Sequence, residues 1–97
     1  MIKSWADKAT EHLYHGTDSK PARAFDRAIW SVIARKLDLV NAAHSIQDLR
    51  APPGNKLHAL KGAQKGRYAI RVNDQFRLTV RFAEGDAYDV RCEDYHR

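Results

Sequence analysis

The sequence holds a single cysteine, Cys92, so no internal disulfide can form and a reducing cytoplasm is the default compartment. No apolar run approaches the ~18 residues of a membrane-spanning helix, and the first residues lack a signal-peptide core. There is no Walker-type loop, no G-x-S-x-G and no H-x-x-x-H pair, which leaves phosphate-loop nucleotide hydrolysis, α/β-hydrolase chemistry and helical zinc sites without a motif. Internal repeats and low-complexity tracts are also missing. The most informative gap is one of charge. Between Asp48 and Asp74 there is no acidic residue.

That same interval contains Arg50, Lys56, His58, Lys61, Lys65, Arg67 and Arg71, together with Gly54, Gly62 and Gly66, three of the five glycines. The net charge of +5 is uneven as a result. Residues 1–49 carry seven Lys/Arg against six Asp/Glu, and residues 50–97 carry ten against six. An asymmetry of this kind favours an anionic partner, most often nucleic acid, because each neutralised phosphate releases counterions. The competing reading is a generally basic domain with no such partner.

Ninety-seven residues suit one domain over 1–97, which buries about 60–65% of its unfolded surface in a single two-layer core. An apolar share of 43% and a charged share of 30% fit a globular chain and argue against global disorder.

Read in order, residues 1–5 alternate weakly and form a candidate strand. Ser4 with Asp7 has the spacing of a capping box, opening a helix over 6–15 that Gly16 closes. Ser19 is a candidate N-cap, with Pro21 in the first turn of a second helix. In that helix Phe25, Ala28, Ile29, Val32, Ile33, Leu37 and Val40 recur at three- and four-residue steps and make one apolar face. Residues 41–55 are a connection, since Ala51-Pro52-Pro53-Gly54 fits neither helix interior nor central strand.

Beyond it the period changes to two. Residues 56–60 and 67–72 read as strands separated by a glycine turn. The clearest strand follows, with Phe76, Leu78, Val80 and Phe82 inward and Arg77, Thr79 and Arg81 outward. Glu84-Gly85-Asp86 is a hairpin turn, and Tyr88, Val90 and Cys92 form the inner face of the last strand. The expected class is α+β, in the order β-α-α-β-β-β-β, with two N-terminal helices packed on one face of a small antiparallel sheet. Strand parity then sends Arg67, Arg71, Arg77 and Arg81 to the opposite, open face, where four like charges call for an anion. The plainer alternative is a solvated strand face with arginines as edge protection.

Cutting RNA without a metal needs a base for the 2′-OH proton, an acid for the 5′-oxygen and cations for the phosphorane. His, Lys, Tyr and Arg supply these roles. Candidates are His58 and Lys61 within the basic interval and Tyr95 and His96 at the end of the chain. Three residues apart, His58 and Lys61 face opposite ways on an ideal strand, so a shared site needs a bend, which Gly62 permits. Metal binding has weak support, Glu93-Asp94 near His96 being the best candidate, and Cys92 has core parity rather than the exposure of a nucleophile.

Four blocks carry a family resemblance: Asp48-Leu49-Arg50-Ala51-Pro52-Pro53-Gly54-Asn55-Lys56-Leu57, then Leu60-Lys61-Gly62, then Ile70-Arg71-Val72-Asn73-Asp74-Gln75-Phe76-Arg77-Leu78, and Glu93-Asp94-Tyr95-His96. Together they resemble the HigB group of RelE-like toxins, the plasmid-maintenance killer proteins of type II toxin–antitoxin systems. The resemblance implies a RelE-like fold and a ribosome-dependent mRNA endonuclease that cuts codons in the ribosomal A site without cofactor or metal. It implies as partners the ribosome and mRNA, a HigA-like helix-turn-helix antitoxin, and operator DNA only through that antitoxin, with no membrane. It implies a catalytic set of His58, Lys61, Arg77, Tyr95 and His96; the acid-free stretch and strand parity add Arg50, Lys56, Lys65, Arg67, Arg71 and Arg81 as RNA-binding cations. Many relatives have another residue at the position of His58, and Phe76 stands where Trp is common. The alternatives are a gyrase-inhibiting toxin of the same fold and a non-catalytic RNA- or ribosome-binding module.

Overall fold

The computed structural model describes residues 1–94; Tyr95, His96 and Arg97 lie outside the described residues. Two helices, α1 (Lys8–His15) and α2 (Trp30–Ala42), precede four strands, β1 (His58–Ala59), β2 (Tyr68–Arg71), β3 (Phe76–Ala83) and β4 (Asp86–Asp94). The strands form one antiparallel sheet in the order β1-β2-β3-β4. Leu13, Ile33, Leu37 and Val40 from the helices meet Ile70, Val72, Leu78, Val80, Ala87, Val90 and Cys92 from the sheet in one buried cluster. Each Leu, Ile or Val among them contributes about 1.5–3 kcal/mol by leaving water. The expected α+β architecture is the observed one.

Residues 1–5 are not a regular strand. They run parallel to β4 through two isolated bridges, Ile2 with Ala87 and Trp5 with Val90. The cap of α1 also differs from expectation. Asp7, not Ser4, takes the N-cap and accepts a hydrogen bond from the Thr10 amide at 2.9 Å. Ser4 is drawn away because its hydroxyl accepts from the Asp89 amide at 2.8 Å. At the other end Gly16 has φ +71°, the left-handed closure that its position predicts. Thr10 is fully buried, and its hydroxyl accepts from the Cys92 amide at 2.9 Å, tying α1 to β4.

The second helix is shorter at its start than its apolar spacing suggests. Ser19 does cap a turn, accepting from the Ala22 amide, but that turn is a 3-10 helix of three residues, Ala22–Ala24. Phe25 is extended and places its ring 5.1 Å from Phe76. Asp26 then restarts the helix by accepting from the Ala28 amide at 2.9 Å, and α2 proper begins at Trp30. Ala28, expected on the apolar face, is exposed.

Residues 43–57 are not bare loop. They contain 3-10 turns at Ile46–Arg50 and Pro53–Asn55, the first opened by a capping box in which Ser45 and Asp48 exchange hydrogen bonds. The Ala51–Pro52 peptide bond is cis. Strand β1 is cut to two residues from the five expected.

The β3–β4 hairpin turns on Glu84 and Gly85, both with positive φ (+53° and +83°), the type I′ geometry that matches strand twist. Register runs from Ala83 opposite Asp86 to Arg81 opposite Tyr88, then slips, so that Thr79 faces Arg91. Asp89, at φ +53°, is in the extra residue pair of this bulge. The two-residue turn and this slip together correct the expected inner face of β4. Ala87, Val90 and Cys92 are the buried residues there, while Tyr88 moves to the open side and the Arg81 guanidinium lies 4.9 Å from its ring centroid.

Candidate functional site

Three rows of residues cross the open face of the sheet, the face turned away from the helices. Side chains of directly opposed residues in antiparallel strands share a face. One row is Arg71, Arg77, Glu93, and the next is His58, Ala69, Thr79, Arg91. The third pairs Arg81 with Tyr88, with Arg67 reaching in from the residue before β2 to the Thr79 hydroxyl. Sheet geometry therefore brings the expected arginines to one surface, with His58 at its edge. Strand spacing of ~4.8 Å and a rise of ~3.4 Å per residue put the backbone of His58 about 12 Å from that of Arg77.

The four arginines do not present an unbalanced positive field, as parity alone suggests. Glu93 stands among them. Its carboxylate lies 3.4 Å from the Arg77 guanidinium, with side-chain exposures of 13% and 19%, so the pair is largely shielded from water. Thr79 donates to the same carboxylate at 2.7 Å and Gln64 donates at 3.3 Å. Arg67 completes the network by donating to the Thr79 hydroxyl at 2.7 Å, the Asp89 carbonyl at 2.8 Å and the Gln64 side-chain oxygen at 3.2 Å. Arg81 faces Asp89 at 3.6 Å and Arg71 pairs with Asp74. These acids come from β4 and from the turn before β3, so three of the four arginines face a carboxylate and the surface is less positive than the acid-free stretch suggests.

Burial pushes the Glu93 carboxyl up, but hydrogen bonds from Thr79 and Gln64 and the charges of Arg77 and Arg91 outweigh it, and the group stays below the ordinary carboxylate value. A depressed folded pKa contributes stability that is present above the unfolded value of about 4.5 and is lost as pH falls through the folded one. Glu93→Gln should accordingly lose less stability than the wild type when urea melts at pH 5 and pH 3 are compared. An equal loss in both proteins would show that Glu93 is not held in this network. Burial likewise lowers the pKa of Arg67 from its ordinary value, ahead of the charges around it. The Cys92 thiol is pushed up to about 12, first by burial and then by Asp7 and Glu93, and at 3% exposure it is a core residue rather than a nucleophile.

His58 is exposed on β1, and its Nδ1 lies 3.0 Å from the Lys56 carbonyl oxygen. A carbonyl only accepts, so Nδ1 carries the proton and Nε2 is left as the atom that exchanges one. Lys61 follows two residues after β1, in extended conformation, as the residue before the 3-10 turn Gly62–Gln64. Gly62 makes the expected bend with φ +65°. The turn carries Gln64 onto Glu93, and so ties the Lys61 segment to the open face. Lys61 and Lys65 are exposed. Lys56 is exposed with φ +47° just before β1, and Arg50 closes the Ile46–Arg50 turn. Tyr95 and His96 follow β4 directly but lie outside the described residues.

Reading the chain alone turns Thr79 outward on β3, as observed, but gives it no role and singles out neither Gln64 nor Glu93 as part of this face. Among the described residues no group of three or more His, Cys, Asp or Glu is arranged to hold a metal. No helix there is long and apolar enough to cross a membrane.

Residues 3–96 match a family model described as the RelE-like toxin of type II toxin–antitoxin system HigB. The chain is 39% identical over 90 residues to Toxin HigB-1 of Vibrio cholerae, covering 93% of each protein. It is 37% identical over 98 residues to Endoribonuclease HigB of Proteus vulgaris, covering 99% of this chain and all of the relative. Among solved structures, a variant of YafQ from E. coli superposes with a TM-score of 0.65 at 13% identity, over 98% of this chain and 94% of the other. At that identity the likeness is one of fold.

Proposed function

Because the chain belongs to the HigB-like family of RelE-like toxins of type II toxin–antitoxin systems, we propose that it is an endoribonuclease that cuts mRNA bound in the ribosomal A site, restrained by a helix-turn-helix antitoxin. The observation that carries the reading is full-length likeness to a relative named as an endoribonuclease, in a chain whose sheet lines up Arg71, Arg77 and Arg67 on one open face with His58 at its edge.

The chemistry is metal-free transesterification. The 2′-oxygen attacks the adjacent phosphorus, the bond from phosphorus to the 5′-oxygen breaks, and a cyclic phosphate and a free 5′-OH result. Lys61 or His96 takes the 2′-OH proton. His58 or His96 returns a proton to the leaving 5′-oxygen. Arg77 stabilises the dianionic phosphorane, its guanidinium steadied by Glu93, and Tyr95 orients the base or phosphate by stacking. Arg50, Lys56, Lys65, Arg67, Arg71 and Arg81 attract the backbone of the RNA.

Induced expression should arrest growth, and mapping RNA 5′ ends should show cuts at fixed codon positions within translated messages. Arg77→Ala should lower cutting about 100-fold, the usual cost of one donor to a developing anion. Lys61→Ala and His96→Ala should also relieve arrest, with the fold intact. DNA damage without RNA cuts would instead indicate a gyrase inhibitor of the same fold. Arrest that survives all three substitutions would indicate a non-catalytic binding module.

A further inference from the structure

A cleft of about 490 Å³ opens at the β1 edge of the sheet, between the Ile46–Arg50 turn and the β1–β2 pair. Ile46, Leu57 and Tyr68 line it and also pack against the core, so their exposed parts form an apolar floor. Gln47, Arg50 and His58 are exposed at the same cleft and give it a polar rim. The cleft is open to solvent, with room for a planar ring on its apolar floor and polar contacts at its rim. Arg50 gives the rim a fixed positive charge, and Arg50 and His58 lie within the stretch that has no acid between Asp48 and Asp74. Asp48 itself turns its carboxylate onto the His44 and Ser45 amides, so the nearest negative charge is already engaged.

From these features we infer that the cleft is a subsite for one unpaired nucleotide of the RNA strand being cut, adjacent to the nucleotide whose phosphate reacts. The inference rests on the endoribonuclease reading given above. His58 links the two places, since it lines the cleft and also begins the open-face row that continues through Ala69 and Thr79. Strand β1 is a sheet edge only two residues long, so an RNA strand can pass around it without leaving the basic surface. The base rests against the Tyr68 ring and the Leu57 and Ile46 side chains, a contact every base can make. The Gln47 amide offers a donor and an acceptor side by side, the pairing that distinguishes base edges. Arg50 neutralises the phosphate of that nucleotide.

The test is the nucleotide preference at mapped RNA 5′ ends after expression of wild type, Gln47→Ala, Tyr68→Leu and Arg50→Ala. Gln47 and Arg50 are exposed, so their loss leaves the fold in place; thermal melting checks Tyr68→Leu. Gln47→Ala should flatten the preference at one position next to the cut, with other positions unchanged. Tyr68→Leu should lower cutting about tenfold. Arg50→Ala should lower it several-fold at every sequence alike. Unchanged preference with Gln47→Ala, while wild type and variant still cut, would overturn the subsite and leave the endoribonuclease reading intact. Absence of cuts by the wild type would overturn both.

Discussion

Asn55→Ala should destabilise the protein by roughly 3 kcal/mol, more than removal of any exposed candidate residue of the site. Asn55 is fully buried. Its amide nitrogen donates to the Leu49 carbonyl at 3.1 Å and to the Ala51 carbonyl at 3.2 Å, while its oxygen accepts from the Lys36 ammonium. One side chain therefore satisfies two carbonyls of the 49–55 loop and the one lysine that α2 buries, at 9% exposure. A buried hydrogen bond contributes about 0.5–1.5 kcal/mol, and each partner left unsatisfied costs about 1–3 kcal/mol. With a urea slope of about 1–3 kcal/mol/M, the midpoint should fall by between 1 and 3 M on that scale. An unchanged midpoint would show that the loop is held by other contacts. Because this loop leads directly into β1, the variant should also weaken cutting through the position of His58.

Lys36→Met isolates one arm of the same network. Burial lowers the pKa of Lys36 from 10.5, with Arg35 and Arg71 adding to the effect. A lysine depressed in the folded state costs stability below its folded pKa, and that cost fades as pH rises from there towards 10.5. The methionine variant removes the charge and the cost together, so its stability should rise less across that alkaline window than the wild type's. It still strands the Asn55 oxygen.

Neither Lys36 nor Asn55 was legible beforehand. Lys36 sits between Ile33 and Leu37 on the helix, and apolar periodicity treats a lysine there as solvated. Only the fold of the distant Pro-Pro-Gly-Asn segment shows what it meets. The β3–β4 register is not legible either. The expected three-residue turn Glu84-Gly85-Asp86 puts Leu78 opposite Cys92, both inward, and needs no extra residue, whereas the observed turn has two residues. A two-residue turn at Glu84-Gly85 pairs Arg77 with Cys92, an outward residue with an inward one. The two strands' inward patterns therefore clash unless one residue is extra. The turn already sets Tyr88 opposite outward Arg81, and the bulge at Asp89 supplies the extra residue, moves Glu93 opposite Arg77 and keeps Val90 and Cys92 inward. The helix break at Phe25-Asp26 follows the same lesson: apolar spacing continued through it, while a side-chain cap at Asp26 decided the backbone. What parity did capture was the common face of Arg67, Arg71, Arg77 and Arg81. Asp74 is a local partner of Arg71, but Glu93 and Asp89 reach Arg77 and Arg81 from the neighbouring strand, where only the register shows them.

In the proposed endoribonuclease reaction, His58→Ala should lower the rate of RNA cutting by about 10²–10⁴-fold, the usual contribution of a positioned general acid or base. The structure gives the imidazole one defined way to act. A donor bond from Nδ1 to the Lys56 carbonyl, at 3.0 Å, orients the ring and leaves Nε2 as the nitrogen open to a substrate proton. Exposure of His58 means that its loss should leave the thermal midpoint within the small range of surface substitutions, roughly 0.5 kcal/mol. His58→Gln separates proton transfer from hydrogen bonding. Glutamine can offer an amide hydrogen at a similar reach but cannot trade it for a lone pair at working pH. A glutamine variant as slow as the alanine one, with one limb missing from the pH–rate profile, identifies His58 as a proton-transfer group. Full recovery with glutamine would reduce it to a hydrogen-bond donor and pass the proton transfers to Lys61 and the chain's last residues. Wild-type rates in His58→Ala would remove the β1 edge from the chemistry, leaving Arg77 and the C-terminal pair as the centre of the site.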